Sequence, residues 1–151
     1  MKRIRNILTA SVIFFTMIPV LAGGVGYINY PKVVENYQFA KTSMREIEAK
    51  SAEIEKYLQQ KEEEFNKLTT PMQKQKFEAN VKAELKVRET AFNDFRNKKE
   101  ETVYTRIHAV SEKIRLEKGL DAVLDSRSVF SGGVDITDDL IKALNSGGGV
   151  K

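Results

Sequence analysis

The sequence predicts an α+β fold, mostly α, in which a long antiparallel helical hairpin projects from a small β-rich body. Three observations carry this. From Val33 to Leu68 apolar residues recur at alternating four- and three-residue steps, the narrow seam of a coiled coil rather than the broad stripe of a core helix. The stretch LTTPMQ (Leu68 to Gln73) interrupts that spacing, and a second run of apolar residues resumes at Phe77. The block GLDAVLDSRSVFSGGVDITDDLIKALN, Gly119 to Asn145, then departs from the charged helical pattern, with short β-prone runs, a Gly-Gly turn and a signalled final helix.

Taken in order, the chain opens MKRIRNILTASVIFFTMIPVLAGG. Lys2, Arg3 and Arg5 form a basic segment and Ile7 to Leu21 an apolar run ending in small or β-branched residues at Val20 and Ala22. This is the grammar of a secretory signal peptide, residues 1–22, cleaved after Ala22. The apolar run is shorter than the ~20 residues that span a bilayer, although Gly23 to Gly26 could extend it into an uncleaved anchor. Either way the bulk of the chain is expected outside the cytoplasm. Lys and Arg number 25 against 21 Asp and Glu; without Lys2, Arg3 and Arg5 the balance is 22 to 21. The mature chain is nearly neutral, so charge matters only where it is locally concentrated.

Residues 23–30 hold VGYIN (Val25 to Asn29), read as the first strand of the body. Pro31 then opens a helix, where its missing N–H costs nothing. Residues 31–118 make the hairpin. Its first arm carries the seam Val33, Tyr37, Ala40, Met44, Ile47, Ile54, Leu58, Phe65 and Leu68, with Ser51 and Lys61 as misses. Thr70 is pushed out of helical geometry by Pro71, which can begin the next helix, so the tip lies near 69–72. The second arm carries Phe77, Val81, Leu85, Phe92 and Phe95, then Val103, Ile107, Val110 and Ile114. Between Phe95 and Val103, RNKKEET shifts the seam by about one residue, which weakens it locally. Lys118 closes the arm and Gly119 can take the left-handed cap.

In residues 119–145, DAVLD and SVF read as strands, SGG as a turn, and DITDDLIKALN as a helix capped by Thr137 with Asp138 and Asp139 in its first turn. This block is too small to fold alone. Joined by VGYIN it forms a body whose apolar residues are Val25, Tyr27, Ile28, Val123, Leu124, Val129, Phe130, Ile136 and Leu140. Residues 146–151 read as a flexible tail.

Catalytic and metal chemistry find no support. There is no Cys, hence no thiol nucleophile, Cys-ligated zinc or disulfide. The single histidine, His108, lacks an accompanying acid–nucleophile set. Asp121 and Asp125 bracket a strand, where Asp is at home in turns. DITDD lacks calcium-loop spacing, and SGGG lacks the Lys and the context of a phosphate-binding loop. The expectation is a non-enzyme without cofactor or metal.

The layout of signal peptide, VGYINYPKVVENY, Lys/Glu-rich helical middle and KGLDAVLDSRSVFSGGVDITDDLIKALN resembles the Skp (OmpH-like) family of periplasmic chaperones over Gly23 to Asn145. Most of the specificity lies in LDAVLD, the following SVF, and DITDDLIKALN. The resemblance implies a homotrimer with a β-rich assembly body. It also implies three hairpin tentacles enclosing a cavity that holds unfolded outer-membrane β-barrel proteins, without ATP.

In that setting the tentacle tip is the expected contact surface. Phe65, Leu68, Met72 and Phe77 either touch clients or close the hairpin against one another; Met72, flexible and apolar, best suits varied surfaces. From Lys67 to Arg88 the basic residues are Lys67, Lys74, Lys76, Lys82, Lys86 and Arg88, against only Glu78 and Glu84. That local excess suits acidic clients or anionic membrane lipids, or is an ordinary solvated face. The rival from another class is a membrane-anchored coiled-coil scaffold that keeps its N-terminal segment. Nucleic acid is disfavoured, because no basic stripe with interleaved aromatics is present.

Overall fold

The computed structural model describes residues 23–147. The expected signal segment, residues 1–22, lies outside the described residues, as do residues 148–151 of the expected tail. The described chain runs β1 (Val25–Ile28), α1 (Tyr30–Asn36), α2 (Gln38–Asn66), α3 (Pro71–Glu117), β2 (Ala122–Asp125), β3 (Val134–Asp135) and α4 (Thr137–Asn145). The fold is the expected one, a long helical hairpin on a small α+β body.

The three strands form one sheet in the order β2-β1-β3, with β1 parallel to both neighbours. Val25 to Ile28 lie opposite Ala122 to Asp125, and Gly26 and Tyr27 opposite Val134 and Asp135. Parallel strands cannot be joined by a tight turn and need a crossover; between β1 and β2 that crossover is the entire hairpin. Both ends of the hairpin are thereby fixed to adjacent strands.

Two expectations about the C-terminal block change. Ser128 to Phe130 is not a strand: Ser126–Ser128 forms a single 3-10 turn, because the Asp125 carboxylate accepts the Arg127 N–H at 2.9 Å and ends β2. The third strand comes after the glycine turn instead. Gly132 and Gly133 have φ of 80° and 87°, and a Cβ at Gly133 would stand 2.9 Å from the Val25 carbonyl oxygen, so the turn that brings β3 beside β1 requires glycine there. Nor does Thr137 cap α4. It is the first helical residue and is buried, its hydroxyl accepting the Asn29 N–H at 2.9 Å, while Asp135 accepts the Thr137 N–H at 2.9 Å.

The first arm is not continuous. Tyr37 is extended and separates α1 from α2. Asn145 at the end of α4 bridges the gap: its Oδ1 accepts the Gln38 N–H and its Nδ2 donates to the Asn36 carbonyl, both at 2.9 Å. Each of these backbone groups would be satisfied by the helix itself if the arm were unbroken, so a tertiary contact replaces local hydrogen bonding. At the tip, α2 ends at Asn66 and α3 starts at Pro71. Thr70 and Gln73 form a capping box there, a signal present in the sequence but not read from it. α3 ends with Gly119 at φ 64°, as a left-handed cap. With 47 residues it extends ~70 Å.

Burial is concentrated at one end. Ile28, Val33, Tyr37, Ala40, Val103, Ile107, Val110, Ile114, Leu120, Ile136, Leu140 and Leu144 form a single core where α1, α4, the sheet and the proximal hairpin meet. Lys32 pairs with Asp138 at 2.7 Å and Lys118 with Asp139 at 2.8 Å, pinning the start of α4 to both roots of the hairpin. Among the described residues no helix is long and apolar enough to cross a membrane.

Candidate functional site

Beyond the body the seam thins. From Met44 to Thr102 the one buried residue is Tyr57. The seam also drifts by one position from the expected spacing. Ser43 and Tyr57 turn inward, whereas Met44 and Leu58 are 52% and 41% exposed. A helix with 3.6 residues per turn moves off a strict seven-residue repeat in this way.

Tyr57 is the peg that joins the arms midway. Its Oη donates to Glu84 Oε2 at 2.9 Å, and the Arg88 guanidinium stands 4.1 Å from its ring centroid. Burial first, and then the Glu84 bond, push the phenol pKa up. Two of the three seam irregularities are filled by lysines, Ser51 being the exception. Lys61 pairs with Glu64 at 2.8 Å, which raises its pKa, and lies 5.7 Å from the ring centroids of Tyr57 and Phe77. Lys99, in the phase-shifted stretch, crosses to Glu46 on the other arm and lies 5.5 Å from the Phe95 ring. Cations over ring faces take the place of apolar packing along this seam.

Distal to Tyr57 the structure brings Phe65 and Phe77 together, their ring centroids 6.2 Å apart, with Lys74 5.0 Å from the Phe65 ring. Both rings stay only half-buried. They open into a groove of about 380 Å³ shared with Leu58, Val81, Lys82 and Leu85. Leu68 is half-buried at the turn, and Met72 stands apart, 80% exposed. Lys67, Lys76, Lys82 and Lys86 are exposed, and among the described residues none of these, nor Lys74 or Arg88, is in an ion pair.

The nine body residues divide sharply. Ile28, Ile136 and Leu140 are in the core, while Tyr27, Val123 and Val129 are half-buried. Val25 and Leu124 are exposed, and Phe130 stands wholly in solvent at 104%. Beside β2 lies a cleft of about 490 Å³ that includes Tyr30, Tyr104, His108, Leu124, Arg115 and Arg127. His108, unexplained by the sequence, stacks on Tyr104 at its edge. Arg127 forks onto Asp125, both contacts at 2.9 Å, and holds that carboxyl at about 2. Arg115 likewise forks onto Glu112, lowering its pKa, and donates to the Leu120 carbonyl at 2.7 Å. Sequence spacing gave no signal for this cleft, since its walls come from α1, α3 and β2.

Comparison with known proteins agrees with this architecture. A family model described as outer membrane protein (OmpH-like) matches residues 24–144. A crystal structure of an OmpH-like protein from Caulobacter crescentus CB15, described as a candidate outer membrane chaperone, superposes with a TM-score of 0.59 at 14% identity, covering 82% of this chain and 85% of that one. No curated protein sequence matches the chain.

Proposed function

The chain belongs to the OmpH-like family, periplasmic chaperones rather than enzymes, and from that premise we propose that it is an ATP-independent holdase for unfolded outer-membrane β-barrel proteins. In this reading it is exported by cleavage after Ala22 and assembles as a homotrimer through its body. Three hairpins then enclose a cavity in which a client is kept from other clients. A barrel protein in transit exposes apolar strands and unpaired edges, which aggregate. A cage that prevents this needs weak, numerous contacts rather than one specific pocket.

The observation that carries the reading is the unevenness of the hairpin. Its root is packed into a core, and its distal half presents partly open aromatic residues among lysines of which, among the described residues, Lys61 pairs with Glu64 while Lys67, Lys74, Lys76, Lys82 and Lys86 are in no ion pair. Phe65, Phe77, Leu68 and Met72 would supply the apolar contact. Lys67, Lys74, Lys76, Lys82, Lys86 and Arg88 would attract acidic clients and anionic lipid headgroups. A hairpin selected only for stiffness would be expected to bury those rings.

The test combines mass with function. The purified chain beginning at Gly23 is expected to be a trimer and to keep a urea-unfolded outer-membrane barrel soluble after dilution, with no nucleotide present. A monomer that leaves light scattering unchanged overturns the reading. N-terminal sequencing of the exported protein separates it from a membrane-anchored scaffold, since a start at Gly23 is the soluble form.

A further inference from the structure

Asp121 holds the start of β1 to the start of β2 in two ways. Its N–H donates to the Gly24 carbonyl at 2.9 Å, one residue before the Val25–Ala122 pair that opens the two strands. Its carboxylate lies against the bare Cα of Gly23, in the space that a Cβ would take. Leu120, the residue before it, packs over Gly26, where a Cβ would stand 2.7 Å from the leucine Cδ1. The segment GGVG (Gly23 to Gly26) is thus seated on residues 120–121, where the hairpin returns to the body.

The Asp121 side chain is exposed and, among the described residues, in no ion pair. The cations that precede it on α3 are engaged elsewhere. Lys118 pairs with Asp139, and the Arg115 guanidinium forks onto Glu112 and donates to the Leu120 carbonyl. What the carboxylate meets instead is the Gly23 backbone, whose nitrogen is one bond, about 1.46 Å, from that Cα. In an uncleaved chain this nitrogen is a neutral amide. Hydrolysis of the Ala22–Gly23 bond adds one water across it, leaving a carboxylate on Ala22 and an amine on Gly23. Such an amine is protonated below its ordinary pKa of about 8. The cut therefore creates a positive charge beside an existing negative one.

We propose that the α-ammonium released at Gly23 by removal of the leader pairs with Asp121, so that processing itself fastens the start of β1 to the start of β2. This rests on cleavage after Ala22, as read above, and gives the new terminus a structural role. β1 is the central strand of the sheet, paired over four residues with β2 and two with β3. The ion pair extends that short pairing at its open end. An exposed pair adds little to global stability, so its signature is local: the charge state of the amine and the protection of the backbone bond beside it.

The chain beginning at Gly23 is prepared with a free amine, which is titrated through the 13C shift of the Gly23 Cα. Its pKa is expected about half a unit or more above the ordinary value of about 8, and to return there in Asp121→Asn. The excess should also disappear in about 1 M salt. Arg115, Glu112, Lys118 and Asp139 are the same in both chains, so the difference reports Asp121 alone. In a second arm the Gly23 amine of the parent is selectively acetylated, which removes its charge and leaves Asp121 in place. The Asp121 amide is expected to exchange about threefold or more faster after acetylation, with the circular dichroism unchanged. Equal pKa values in parent and Asp121→Asn, or an Asp121 amide indifferent to acetylation, overturn the pair while leaving the chaperone reading standing. N-terminal sequencing of the exported protein tests the premise separately: a start at any residue other than Gly23 overturns the processing reading and this inference with it.

Discussion

Asn145 shows how much one side chain contributes when it replaces helical hydrogen bonds. Its amide satisfies backbone groups on both sides of the Tyr37 break. Asn145→Ala removes both bonds at a partly solvated junction and is expected to cost about 1–2 kcal/mol, read as a lower urea midpoint with an unchanged slope; an unchanged midpoint would show that water replaces the amide without loss. Asp125 gives a second prediction, from acid titration. The Arg127 side chain, then its N–H, lower the folded pKa from 3.8 to about 2. A carboxylate with a depressed folded pKa contributes stability above its unfolded value, and that contribution disappears as pH falls through the folded one. Stability relative to Asp125→Asn is therefore expected to be constant above about pH 4 and to decline toward pH 2. Parallel curves for parent and variant across that window would show that the fork has no net effect. Asp135, lowered by the Thr137 side chain and backbone, acts in the same direction.

Along the hairpin the elements were legible where a local rule decides them, and less so where distant residues do. The four–three spacing, Pro71 and Gly119 each act within one or two turns of helix, and the arms form accordingly. The Tyr37 break depends on Asn145, 108 residues away, and β3 on the hydrogen bond by which Asp125 ends β2 too early for SVF to pair. The cation–ring contacts were hidden for a similar reason: Lys61 and Lys99 interrupt the apolar spacing, yet the structure places them over the rings beside the gaps they leave. The distal lysines were legible as a charge excess, and their lack of ion pairs sharpens what they can do. Replacing Lys74, Lys76, Lys82 and Lys86 by Gln leaves the core untouched, so the unfolding free energy from urea titration should change by less than about 0.5 kcal/mol. Client capture should weaken about tenfold at low salt, and the fall of parent affinity with added salt should flatten in the variant. A salt titration that superposes variant on parent removes the electrostatic contact and leaves the rings to carry capture.

For the molecule as a whole, the decisive property is that one helix belongs to two environments. α3 begins beside half-buried rings at the tip and ends among Val103, Ile107, Val110 and Ile114 in the core. A helix without tertiary packing is marginal in water, so the two ends of α3 should open independently although they share an unbroken backbone. Native-state hydrogen exchange is expected to grade along it. Amides from about Val103 to Ile114, and those of α4 over Leu140 to Leu144, should exchange only on global unfolding. Those from Phe77 to Phe95 should exchange by local opening at a free energy several kcal/mol lower. Tyr57 provides the internal control, because its bond to Glu84 and its contact with Arg88 are the midway tie between the arms. Tyr57→Phe, which removes the hydroxyl and keeps the ring, should lower protection on the tip side and leave the root unchanged. Uniform protection along all of α3 would mean that the hairpin opens as one unit. A client would then meet a rigid arm rather than one whose distal half loosens while the body stays folded.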